Sequence, residues 1–133
     1  MKKQIASYRI LGLRFLPLLI ALLLPLQMWG EDVKAQLMAL PGISKVEELK
    51  SSKYDHKYLM NIRQWIDPND TTVGAFQQRV IVCHVGFDRP TVLVTEGYNC
   101  NYALKEDYAE ELSKLFDANL IFVEYRYFAA STP

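Results

Sequence analysis

Between Pro90 and Pro133 a β-branched run, a helical spacing of apolar residues and a second β-branched run follow one another, and few folds accommodate that order. Thr91 to Thr95 (TVLVT) is bounded by Pro90 and Gly97, as a buried strand is bounded by residues that interrupt ladders. Leu104, Tyr108, Leu112, Leu115 and Phe116 recur at helical spacing, with Lys105, Glu106, Asp107, Glu110, Glu111 and Lys114 on the other side. That spacing predicts an amphipathic helix of roughly three turns. Asn119 to Tyr125 (NLIFVEY) predicts a second buried strand. Together the three elements predict a right-handed βαβ crossover between parallel strands. Open α/β sheets bind ligands at the carboxyl ends of their strands, which here are TEGYN and RYFAASTP.

Ahead of this unit, residues 1–35 have the pattern of an export signal. Lys2, Lys3, Arg9 and Arg14 precede the uncharged run FLPLLIALLLPLQMWG. At roughly 16 residues with two prolines, that run is shorter than the ~20 a spanning helix needs. Val33 and Ala35 are small residues placed for a cut before Gln36, and no cysteine follows the run to carry a lipid. The competing reading is an uncleaved amino-terminal anchor. Both put the remainder outside the cytoplasm, periplasmic or extracellular, and the first leaves no stable membrane insertion after cleavage.

Residues 36–57 form an extension in which Ser44 to Leu49 predicts a short helix, because Ser44 and Glu47 have capping-box spacing. Gly42-Ile43-Ser44 superficially resembles a nucleophile motif, but no strand precedes it and no second glycine follows where a nucleophile elbow needs one. Tyr58 to Asp67 and Ala75 to Val85 predict two strands separated by the turn formers PNDTTVG. Paired strands followed by a crossover predict a mixed sheet, antiparallel first and parallel after, which is the order that opens an α/β-hydrolase.

The chain carries 15 basic and 15 acidic residues, so its net charge of zero gives no reason to expect nucleic acid or an anionic surface as partner. Its 133 residues, half of them hydrophobic, suit one small domain or part of a larger one. His56 and His84 are its only histidines, and no HExxH or CxxC spacing builds a metal site around them. A strand histidine such as His84 is ordinarily structural. Cys83 and Cys100 are the only cysteines, and two readings stand: a disulfide formed outside the cytoplasm, or two separate thiols with one buried. Glu96 and Gly97 directly follow TVLVT, where an α/β-hydrolase places the loop that lends a backbone N–H to the oxyanion hole; a glycine needed only for the turn explains the same residues. Glu124 and Arg126 at the next strand end have the makings of a structural ion pair.

The blocks QWIDPND, FQQRV, QRVIVCHVGFDRPTVLVTEGYN and DANLIFVEYRYFAASTP occur in one order between about Lys57 and Pro133. In that order they resemble the bacterial secreted tripeptidyl-aminopeptidase family of serine peptidases. They are also distantly similar to the prolyl carboxypeptidase and dipeptidyl peptidase group, with its Asn-Glu-Gly loop and EHRYYG-like strand end. Tyr125 stands where relatives often have histidine, and Ala129 where the wider group tends to have glycine. The resemblance implies that residues 58–133 are part of an α/β-hydrolase domain that cuts peptides from their amino-terminal end by a Ser-Asp-His triad, with peptide as partner and no metal or cofactor. It implies oxyanion-loop roles for Gly97 and Tyr98 and a substrate-binding role for Glu96. The family's glycine-flanked serine, acid and histidine have no counterpart in the 133 residues, so an inactive amino-terminal fragment is expected. The alternative is an exported binding module without catalysis, whose last strand would be an apolar edge open to other chains.

Overall fold

The computed structural model describes residues 32–95 and 98–133. The expected leader lies almost wholly outside the described residues, as do Glu96 and Gly97. Five strands, β1 (Ile43–Glu48), β2 (His56–Trp65), β3 (Ala75–His84), β4 (Thr91–Thr95) and β5 (Asn119–Val123), form one sheet in the order β1-β2-β3-β5-β4. The first three pair antiparallel, β3 pairs antiparallel with β5, and β4 pairs parallel with β5. This is the expected mixed α/β sheet. One expectation about its edges is corrected. The last strand is interior, because the crossover returns it between β3 and β4, and β4 is the edge.

β3 and β5 sort their side chains by the two-residue period of a strand onto two covered faces. Ile81, Cys83, Leu120 and Phe122 bury with Tyr54, Cys100 and Ala103 on one face; Val80 and Val82 bury with Val33, Val46, Tyr58 and Met60 on the other. Helix α1 (Val33–Met38) covers the second face, its start capped by the Asp32 carboxylate, which accepts from the Ala35 N–H. The expected cut after Ala35 falls inside α1, and buried Val33 precedes it.

Two expected helices are corrected. Where Ser44 to Leu49 was expected to be helical, Ser44 to Glu48 lies in strand β1. Six residues are too few to sustain a helix alone, whereas the edge of β2 offers a ladder from Ile43↔Ile62 to Glu48↔Tyr58. Ser44 Oγ donates to Gln77 Oε1 at 2.7 Å, and Glu47 pairs with Lys45 at 2.6 Å, so neither half of the capping box is formed. The three-turn crossover helix is a 3₁₀ turn, Asn101–Leu104, and one short helix, α2 (Glu111–Leu115). Between them the chain is drawn out by tertiary bonds. Buried Lys57 donates from Nζ to Lys105 O at 2.7 Å, and Ser52 N donates to Glu106 O at 2.9 Å. Tyr54 Oη and Ser113 Oγ lie 2.6 Å apart, pinning α2 to the segment before β2. The apolar stripe therefore divides: Leu104 and Tyr108 pack on the core, while Leu112, Leu115 and Phe116 are exposed, Leu115 by 73%.

Cys83 and Cys100 are both buried free thiols in the same core cluster, so the structure holds them as separate thiols and not as a bridge. Burial pushes the Cys83 thiol up to about 12, against a smaller pull from Lys57, and the Cys100 thiol up to about 11. Thiols so rarely ionised are inert. A thiol reagent is expected to label neither cysteine in the folded protein and both after unfolding without reductant. Two thiols that stay unreactive after unfolding would restore the bridge.

Candidate functional site

The parallel pair β4 and β5 ends at Thr95 and Val123, and the chain leaves both ends on the same edge of the sheet. Tyr125 Oη donates to Thr95 O at 2.7 Å, tying the two exits together. Of the expected site residues, Tyr98 is placed at this edge. It is 72% exposed and meets the ring of Phe128 edge-on, with centroids 4.8 Å apart. Phe128, Tyr125 and Tyr127 are exposed as well, so the edge presents an aromatic surface beside the loop that follows β4.

Beneath that surface lies a polar knot centred on Glu124, which is fully buried. Its register position explains why. Val80 opposes Val123, so the next pair outward sets Arg79 against Glu124, and Glu124 N donates to Arg79 O at 3.2 Å. Arg79 grips the carboxylate with Nε at 3.1 Å and Nη2 at 2.6 Å, a forked arrangement that fits guanidinium to carboxylate. Cys100 N donates to Oε1 at 2.9 Å and Ser131 Oγ to Oε2 at 2.7 Å. Burial alone would raise this carboxyl, but Arg79, Ser131 and the Cys100 N–H outweigh it and hold it at about 2. Gln78 Nε2 donates to Glu124 O at 2.8 Å, and Arg79 Nη2 reaches Asn101 Oδ1 at 3.2 Å.

The ion pair expected between Glu124 and Arg126 is therefore corrected. A strand places residues two apart on one face, but β5 ends at Val123, and Arg126 turns away from the carboxylate. Its Nη2 donates to Trp65 O at 2.7 Å and Ile66 O at 3.1 Å, and its guanidinium lies 5.2 Å from the Phe76 ring centroid. The loop then coils back through Tyr127 (φ 70°) and Ala129 (φ 43°), both in the left-handed region. That conformation gives a physical reason for glycine at the position of Ala129 in the wider group. Ser131 closes the coil: its N donates to Phe128 O, its O accepts from Tyr127 N, and its Oγ accepts from Arg79 N at 2.9 Å.

Three of the described serine hydroxyls are committed to structure. Ser131 Oγ serves Glu124, Ser113 Oγ serves Tyr54 and Glu110 O, and Ser44 Oγ serves Gln77. His56 and His84 oppose each other across β2 and β3, with ring centroids 6.4 Å apart. Cys83 pairs with Leu120, so this histidine pair lies at the amino end of β5, away from the edge carrying Tyr98. Among the described residues no group of three or more His, Cys, Asp or Glu side chains could hold a metal. The described edge thus carries an exposed aromatic rim above the buried, fully hydrogen-bonded Glu124 carboxylate. Arg79, Ser131 and the Cys100 N–H went unnoticed in the sequence because the β3/β5 register brings Arg79 to Glu124 and the two loops bring Cys100 and Ser131 there, none of which a local pattern encodes.

Residues 28–133 match the model of the PS-10 peptidase S37 family. The chain is 36% identical over 103 residues to a prolyl tri/tetrapeptidyl aminopeptidase of Streptomyces mobaraensis, an alignment covering 77% of this chain and 20% of that protein. It therefore spans about a fifth of that relative's length. No solved structure matches the chain significantly. With a family model spanning both the sheet and the Glu124 knot, the chain belongs to the peptidase S37 family.

Proposed function

We propose that this chain supplies the opening sheet and the substrate-facing edge of an exported serine aminopeptidase of α/β-hydrolase type, which removes short peptides from the amino-terminal end of its substrates. Family membership over residues 28–133 carries the reading. The relative's name supplies the reaction class, and the mixed sheet with a parallel pair at one side supports the fold. The charged start and the apolar run ahead of Asp32 act as the export signal, with the product periplasmic or extracellular. Among the described residues no helix is long and apolar enough to cross a membrane. Gly97 and Tyr98 present backbone N–H groups to the tetrahedral intermediate, and the Glu96 carboxylate meets the protonated amine of the peptide. No metal or cofactor takes part. The 133 residues contain no glycine-flanked serine motif, so on this reading they bind and orient but do not hydrolyse by themselves.

A second reading, a binding module without catalysis, draws on the open edge of β4, where Leu93 is 59% exposed beside α2. One experiment separates the two. Residues 32–133 replace the matching segment of the Streptomyces mobaraensis aminopeptidase, and tripeptide release from unblocked peptides is measured. The peptidase reading predicts that release persists within about tenfold of the parent, while the 133-residue chain alone releases nothing and does not react with a serine-directed phosphonate. A folded but inactive exchanged enzyme favours the module. Release by the isolated chain would overturn the assignment of the nucleophile to residues outside it.

A further inference from the structure

We infer that Glu124, gripped by Arg79, is a positioning residue for the peptidase reaction. It ties Cys100, in the loop that follows β4, to Ser131, in the loop that follows β5, so that the backbone at Tyr98, two residues before Cys100, is held in place. The inference rests on the peptidase reading proposed above.

The carboxylate accepts four hydrogen bonds, two on each oxygen, from three separate segments: Arg79 of β3, Cys100 after β4 and Ser131 after β5. Four bonds fill the accepting capacity of a carboxylate. A brace between two strands needs only the Arg79 pair, which already joins β3 to the end of β5. The other two bonds leave the sheet and reach loop backbone and a loop hydroxyl. Ser131 Oγ also accepts from Arg79 N, so Arg79, Glu124 and Ser131 close a ring, and Asn101 hangs on the same guanidinium. Cys100 thus stands two residues from Tyr98 with its N–H aimed at a full negative charge.

Stabilising an oxyanion demands donors that need not reorganise when charge develops, and their precision depends on the shell behind them. Glu124 is fully buried, so its action passes through the Cys100 backbone to Tyr98, two residues before it. Arg79 pairs with it, so the charge holding the loop is not left uncompensated in the interior. The exposed rim is coupled through the same residue, since Ser131 shapes the coil that carries Phe128 against Tyr98.

Glu124→Gln tests this, because it keeps the shape but turns an accepting oxygen into a donating nitrogen facing other donors. In the exchanged aminopeptidase, kcat should fall about 10- to 100-fold with KM changed less than about threefold, as a displacement of the order of 1 Å would produce. In the 133-residue chain, the Cys100 amide should exchange hydrogen at least about tenfold faster while the amides of β2 keep their protection. Should the Gln variant fail to fold, Ser131→Ala removes a single arm and should lower kcat in the same direction by a smaller factor. An unchanged kcat with unchanged Cys100 exchange overturns the inference. So does a loss that spreads equally over kcat, KM and the protection of β2, which a merely structural role would produce. If the exchanged enzyme is inactive even with Glu124 intact, the peptidase reading fails instead, and the Cys100 exchange rate alone decides whether the two loops are coupled.

Discussion

Arg79→Ala should lower the unfolding free energy by about 3–5 kcal/mol at neutral pH, the cost of leaving a buried carboxylate without its cation. Glu124 is fully buried, while the Arg79 side chain is 16% exposed, so solvent does little to screen the pair. In the native protein the carboxyl is held at about 2 against an ordinary value of 4.5. Such a depressed group contributes stability that is present above pH 4.5 and is lost as pH falls through about 2, on the order of 3 kcal/mol at neutral pH. Removing Arg79 leaves burial as the largest influence on the carboxyl, and burial raises it. The Ser131 and Cys100 hydrogen bonds then act alone against burial, so the charged form is less favoured in the variant and acid narrows the difference. The native protein should therefore lose stability on going from pH 7 towards pH 2 while the variant's deficit shrinks. Urea unfolding of both proteins at pH 7 and pH 3 reads this directly. A deficit under about 1 kcal/mol, or one that stays constant with pH, would show that the knot is not held by charge.

How much of this was legible beforehand depended on whether the deciding contact was local. The ladders of β2, β3 and β4 were legible because β-branched and aromatic residues cluster between turn formers, as in QRVIVCHV and TVLVT. The parallel pairing of β4 with β5 followed from the crossover between them. β1 was hidden because Ser-x-x-Glu reads equally as a cap, and only the free edge of β2, whose partner residues lie 10 to 19 positions along the chain, makes it a strand. The crossover helix failed for the opposite reason: its spacing was helical, but Lys57 and Ser52 capture the carbonyls of Lys105 and Glu106 from outside. Tertiary bonds of this kind override propensity. At the site, the loop after TVLVT was legible as the candidate edge, and Tyr98 stands there in the open. The partner of Glu124 was not, because a pair one step beyond the end of a ladder is set by register between β3 and β5, which no local pattern encodes.

Glu96, the residue directly after Thr95, is proposed to read the amino terminus of a peptide at the carboxyl edge of β4 and β5. Glu96→Gln in the exchanged aminopeptidase keeps the side chain's shape and removes its charge. A charge-assisted hydrogen bond to the substrate ammonium contributes about 1.5–3 kcal/mol, so kcat/KM for free-amine peptides should fall roughly 10- to 150-fold. Peptides with a blocked amino terminus carry no such charge and should lose less than about threefold. The decisive measurement is the ratio of kcat/KM for one peptide with its amine free and acetylated, in the two proteins side by side. This ratio should collapse by at least about tenfold in the variant. A ratio that stays the same, whether both substrates lose rate together or neither does, would contradict that role for Glu96.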